Sequence, residues 1–111
     1  MALDFQTESA EQLIELFGFD QLDQIPHITG YGRIKYPRSL QRRGVEGYVE
    51  LLIVIDRRGR VEVRKVLGYS HREFIAAAKA GAAATRFSPP LRKGQPVRAQ
   101  YAWKIEFRVD R

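Results

Sequence analysis

The stretch 100–111, "QYAWKIEFRVDR", decides how this chain folds. Tyr101, Trp103, Ile105, Phe107 and Val109 alternate with Gln100, Ala102, Lys104, Glu106 and Arg108. A period of two over about ten residues is the pattern of a half-buried β-strand, roughly 33 Å long at about 3.3 Å per residue. The two residues after it, Asp110 and Arg111, are too few to cover its far edge. Such an edge is a row of unpaired N–H and C=O groups, a template for another chain.

Upstream, "EGYVELLIVIDRRGRVEVRKVLG" (46–68) reads as a hairpin. Val49, Leu51, Ile53 and Ile55 share one face, and Tyr48, Glu50, Leu52 and Val54 the other, which is only half polar. Asp56 and Gly59 supply the turn chemistry. The second strand shifts phase by one residue between Val63 and Val66, the mark of a bulge. "SHREFIAAAKAGAAATRF" (70–87) reads as a helix with a Ser70/Glu73 capping box, and its alanines and Gly81 allow close approach to a sheet. "YPRSLQRRG" (36–44) reads as a short helix, with Pro37 at its first position and Gly44 as a left-handed stop. "TESAEQLIELFGF" (7–19) reads as an amphipathic helix with an apolar cluster of Leu13, Ile14, Leu16 and Phe17. Residues 20–37 read as an ordered linker and "SPPLRKGQPV" (88–97) as a loop.

These elements predict one α+β domain with a three-stranded sheet in the order 2-1-3 and helices on one face. The central strand is the first of the hairpin, and the crossover through the helix brings the last strand to its other side. The last strand keeps a free outer edge.

Charge divides the chain. Residues 1–32 carry six acids and no Lys or Arg, whereas all 19 basic residues and the other seven acids follow. The expected division is an acidic lead segment, 1–32, and a basic domain, 33–111. The half-apolar face of Tyr48, Leu52 and Val54 is a candidate seat for the lead segment, and the alternative is a frayed N-terminus. No apolar run of about 18 residues and no signal peptide is visible. The two histidines, His27 and His71, stand apart, and there is no cysteine, so no metal-ligand spacing exists. Nucleotide fingerprints and nucleophile motifs are missing as well. The chain is therefore read as no enzyme, without cofactor or metal. The alternative is a nucleic-acid-binding module, because Arg57, Arg58, Arg60 and Arg64 crowd the hairpin. Against it, the last strand's aromatics share the core face and are not free to stack on bases. The expected partner is protein, not nucleic acid.

One family shares this order of features. Tyr36-Pro37 opens a short helix, and Gly44 and Glu46-Gly47 precede a strand. Asp56 and Gly59 form a hairpin turn, and Val61 opens the second strand. Phe74 and an alanine-rich helix lead to Arg86-Phe87-Ser88-Pro89, then Gly94-Gln95-Pro96-Val97 and the closing strand. From Tyr36 to Val109 the chain resembles the C-terminal domain of TonB-family energy transducers. The resemblance implies the ββαβ fold and a periplasmic domain that binds the TonB box of outer-membrane transporters. That binding couples the inner-membrane proton gradient to uptake of iron chelates or vitamin B12, with ExbB and ExbD as partners through a membrane segment. No membrane helix or Pro-rich spacer lies within these 111 residues. Either they belong to a longer chain anchored in the inner membrane or they form a stand-alone relative. The resemblance also implies the site: an added strand along Gln100, Ala102, Lys104, Glu106 and Arg108, with further contacts from Gly32, Arg33, Ile34, Lys35 and Tyr36. A second copy of the chain, forming a homodimer, is the competing occupant of that edge.

Overall fold

The computed structural model describes residues 16–109. Its main sheet is built on the predicted hairpin. Strands β3 (Gly47–Ile55) and β4 (Val61–Tyr69) pair antiparallel. The closing strand, β8 (Arg98–Phe107), begins and ends two residues before the expected bounds and pairs antiparallel with β3 along nearly its whole length. The sheet is four-stranded rather than three-stranded, in the order β1-β8-β3-β4. The extra strand, β1 (Leu16–Gly18), joins parallel to the start of β8.

That strand corrects the reading of the lead segment. Leu16 and Phe17, expected on a helix, are extended, and Phe19–Gln21 is a 3-10 turn. The backbone groups of a three-residue piece gain more from a waiting strand edge than from an isolated helical turn, whose nucleation is costly. The expected helical positions Leu13 and Ile14 lie outside the described residues. The described part of the lead segment sits at the β8 edge, not on the Tyr48, Leu52, Val54 face.

The core lies under one face of the sheet. Val49, Leu51, Ile53 and Ile55 of β3 are completely buried, and Ile105 and Phe107 of β8 flank them. Over them lie helix α1 (Arg38–Arg42), through its buried Leu40, and helix α2 (Ile75–Ala83), through Ala78 and Ala82. Fully burying one such aliphatic side chain contributes about 1.5–3 kcal/mol. The β3–β4 register slips at Arg64, where the phase shift predicted a bulge, and again at Leu67. The Asp56 carboxylate accepts the N–H groups of Arg58 and Arg60, and Gly59 takes φ +85° as the turn requires.

The capping box does not form. A 3-10 turn, Arg72–Phe74, leads into α2 without a side-chain cap. Ser70 instead accepts the Tyr48 N–H at 2.9 Å and ties the end of β4 to β3. Between the elements, short pieces stitch the surface. Strand β2 (Ile28–Gly30) pairs with β5 (Arg86–Phe87). The loop 88–97 holds a small hairpin of β6 (Leu91–Arg92) and β7 (Gln95–Pro96), turned by Lys93 and Gly94 at positive φ.

Gly81 does mark a close approach, but its neighbour is the stretch at 33–34 rather than the sheet. A Cβ there would overlap Ile34 Cγ1. Gly32 abuts the C-terminal end of the same helix, where a Cβ would overlap the Gly81 carbonyl oxygen and lie 2.8 Å from the Thr85 nitrogen. Backbone cannot step aside as a side chain can. Gly32→Ala is expected to destabilise the fold by about 3 kcal/mol. Gly81→Ala should cost less, because Ile34 can shift and the helix regains about 1 kcal/mol of propensity. Denaturant midpoints measured at constant slope check both. An unchanged midpoint for Gly32→Ala would contradict the packing of 32–34 on α2.

Candidate partner-binding edge

The expected site has two parts, and the structure joins them at one end. Tyr36 packs edge-on against Phe107 of β8 and Phe74, with ring centroids 5.5 Å and 5.7 Å away. Its hydroxyl donates to the Val45 carbonyl. Burial raises the Tyr36 pKa, with the Glu46 carboxylate adding to it, so the phenol stays a donor. From there the chain runs back along α2. Residues 33–38, with Gln41, Glu73 and Ala76, Ala77 and Ala80 of the helix, line an open groove of about 780 Å³. Arg33 and Lys35 are exposed along it, whereas Ile34 is half-buried against the core. Gly32 is tied to the helix end, since its N–H donates to Thr85 Oγ1 at 2.9 Å and that hydroxyl donates to the Gly81 carbonyl.

The other part is β8. Gln100, Ala102, Lys104, Glu106 and Arg108 are all exposed. Their charges are partly spent. Arg108 grips Glu106 at 2.6 Å, and this hydrogen bond, helped by the opposite charge, holds the Glu106 carboxyl below its usual range. The Lys104 ammonium lies 4.7 Å from the centre of the Tyr48 ring. With Glu46, Gly47 and Tyr48, residues 104 and 106–108 line a shallow recess of about 240 Å³ at this end of the strand. The aromatics on the inner face differ among themselves. Phe107 is buried and Trp103 half-buried, edge-on to Phe87, but Tyr101 is 41% exposed.

The outer edge of β8 is divided. Residues 98–100 pair with β1: Leu16 with Arg98, Phe17 with Ala99, Gly18 with Gln100. Among the described residues nothing pairs with that edge from 101 to 107. Gln100, expected to be free for a partner, is thus covered by the chain's own Gly18. On β4, the sheet's other edge, two bulges break the regular spacing that an added strand needs.

Sequence reasoning missed the groups that hold β1 in place. Phe19 stacks on Tyr101, with centroids 4.3 Å apart and rings 4° from parallel. Arg92 lies 4.9 Å over the Phe17 ring and donates to the Gln21 carbonyl at 2.7 Å. The Asp23 carboxylate accepts the N–H groups of Lys93 and Gly94 at 2.7 Å and 2.9 Å. The available signal was Lys93-Gly94, a two-residue hairpin turn whose N–H groups point outward and attract a carboxylate.

No curated protein sequence matches the chain. A family model described as Gram-negative bacterial TonB protein C-terminal matches residues 32–109. Among solved structures, the solution NMR structure of the Pseudomonas aeruginosa TonB C-terminal domain aligns at 28% identity. The alignment covers 73% of this chain and 86% of that one, with a TM-score of 0.48.

The Asp23 latch carries a pH signature. The backbone N–H of Gly94, then that of Lys93, lowers the Asp23 pKa. A depressed carboxylate contributes stability that is complete above its unfolded value of about 3.9 and lost as pH falls through the folded value. Acidification below about pH 4 should therefore loosen residues 16–23 from the β6–β7 hairpin. The amide signals of Lys93 and Gly94 should titrate with the Asp23 carboxyl, and Asp23→Asn should remove that response. Lys93 and Gly94 signals that do not move with pH would contradict the latch.

Proposed function

The chain belongs to the family of Gram-negative bacterial TonB C-terminal domains, and on that premise we propose that it is the periplasmic partner-binding domain of a TonB-type energy transducer. It binds the TonB box of outer-membrane transporters by strand addition to β8. An extended peptide gains affinity from backbone hydrogen bonds along an open edge and specificity from side-chain clefts beside it. Through a membrane-anchored segment working with ExbB and ExbD, the pull on that peptide couples the inner-membrane proton gradient to uptake of iron chelates or vitamin B12. The domain transmits force and binds, and does no chemistry itself.

The observation that carries this reading is the edge of β8 over residues 101–107, unpaired among the described residues, on a sheet whose opposite edge is bulged. The groove beside residues 33–36 supports it, since Tyr36 brings that stretch to the Phe107 end of the strand. An acidic peptide would meet Arg33 and Lys35 at the groove, whereas Glu106 already engages Arg108. Each exposed pair with a partner would be worth only about 0–1 kcal/mol. Backbone pairing therefore dominates.

A TonB-box peptide titrated into isotope-labelled protein should shift amides in 101–107 and 33–36. Proline at Ala102 or at Lys104, whose N–H groups both face the outer edge because Tyr48 of β3 turns its own N–H and C=O to Ser70 and away from β8, should weaken binding at least tenfold while the fold persists, because proline removes the donor. Shifts confined to residues 57–64 with β8 silent would overturn the reading.

A further inference from the structure

One end of the edge proposed for the partner already holds a strand of the same chain. Leu16–Gly18 runs parallel to β8, and paired residues of a parallel ladder project to the same face, so Phe17 lies on the side of Ala99. Two residues on, Phe19 covers Tyr101 with its ring flat on the phenol. Arg92, reaching from the β6–β7 hairpin, covers Phe17 and binds the Gln21 carbonyl. A backbone ladder alone accepts almost any sequence, but a cation over one ring and an aromatic face under the next select for a pair of rings. Tyr101 remains 41% exposed even under Phe19, so the clamp is reachable from solvent.

We propose that Arg92 and Tyr101 form an aromatic-reading clamp on the β8 edge, filled at rest by Phe17 and Phe19. The peptide this edge prefers runs parallel to β8 and carries two aromatic side chains two residues apart. It competes with Leu16–Gly18 for residues 98–100. The proposal rests on the reading of β8 as the partner edge and adds to it a specificity and a resident competitor.

The test uses the full chain, which has no cysteine. Leu16→Cys with Arg98→Cys places a disulfide across a directly paired position, within the reach such a bond needs. The probe is a labelled synthetic peptide of residues 14–23, beside the same peptide with alanine at both phenylalanine positions. With the lock reduced, the native-sequence peptide should bind at least tenfold more tightly than with the lock oxidised, and should shift amides 98–101. The alanine peptide should bind at least tenfold more weakly. Tyr101→Ala should erase the difference between the peptides. Arg92→Gln, a surface change that leaves the core alone, should reduce it. Equal binding of both peptides with β8 amides still shifting would sink the clamp but leave edge pairing standing. Equal binding by the oxidised and reduced protein would show that Leu16–Gly18 is no competitor. If neither peptide shifted any β8 amide in the reduced protein, edge pairing itself would fail, and the clamp with it.

Discussion

The pairing of β3 with β8, from Gly47 opposite Phe107 to Ile55 opposite Ala99, is the constraint on which the rest depends. It is unbroken, whereas the pairing of β3 with β4 slips twice. It fixes which side chains share the inner face: Val49 with Ile105, Leu51 with Trp103, Ile53 with Tyr101. A slip of one residue would turn each of these pairs inside out. With that face set, Phe74 stacks on Phe107 at 4.2 Å, Tyr36 wedges against both, and the stretch leading to α1 is drawn to the end of β8. The joining of the two parts of the site is therefore a result of core packing.

The same pairing leaves β8 with one edge to dispose of. Natural sheets blunt such edges with charges, bulges, short strands or covering segments. This molecule treats its two edges differently. β4 is bulged at Arg64 and Leu67. β8 is regular, covered for three residues by β1 and, among the described residues, left open beyond. Glu106 and Arg108 spend their charges on each other at the end of this strand. Regular backbone spacing on an open edge is what strand addition needs, and of the three long strands of this sheet β8 is the one that offers it among the described residues.

Much of this was legible in the sequence. The alternation of 100–109 located β8, the phase break between Val63 and Val66 located a bulge, and Asp56 and Gly59 located the turn. Each is a local signal, a matter of period or backbone conformation. What the sequence hid is long-range. Leu16 and Phe17 look helical because their spacing fits a helix, and only the presence of β8 makes them a strand. Ser70 has the spacing of a helix cap, but Tyr48, 22 residues earlier, competes for its hydroxyl and wins. Asp23 and Arg92 are ordinary loop charges until the β6–β7 hairpin brings them to the same segment. Residue alternation located the strand, whereas the pairing of its first residues with Leu16–Gly18 left no local signal.

Among the described residues β8 thus carries a divided edge, closed by the chain itself at one end and unpaired at the other. Amide hydrogen exchange of the isolated protein, read residue by residue, tests this most directly. Protection reports pairing that a static face of side chains does not. In 98–100, N–H groups directed at β1 should be protected. In 101–107, the outward-directed N–H groups should exchange far faster than those directed at β3. Uniform protection along both sides of β8 would contradict the account, because a second copy of the chain or another segment would then occupy the edge proposed for the partner peptide.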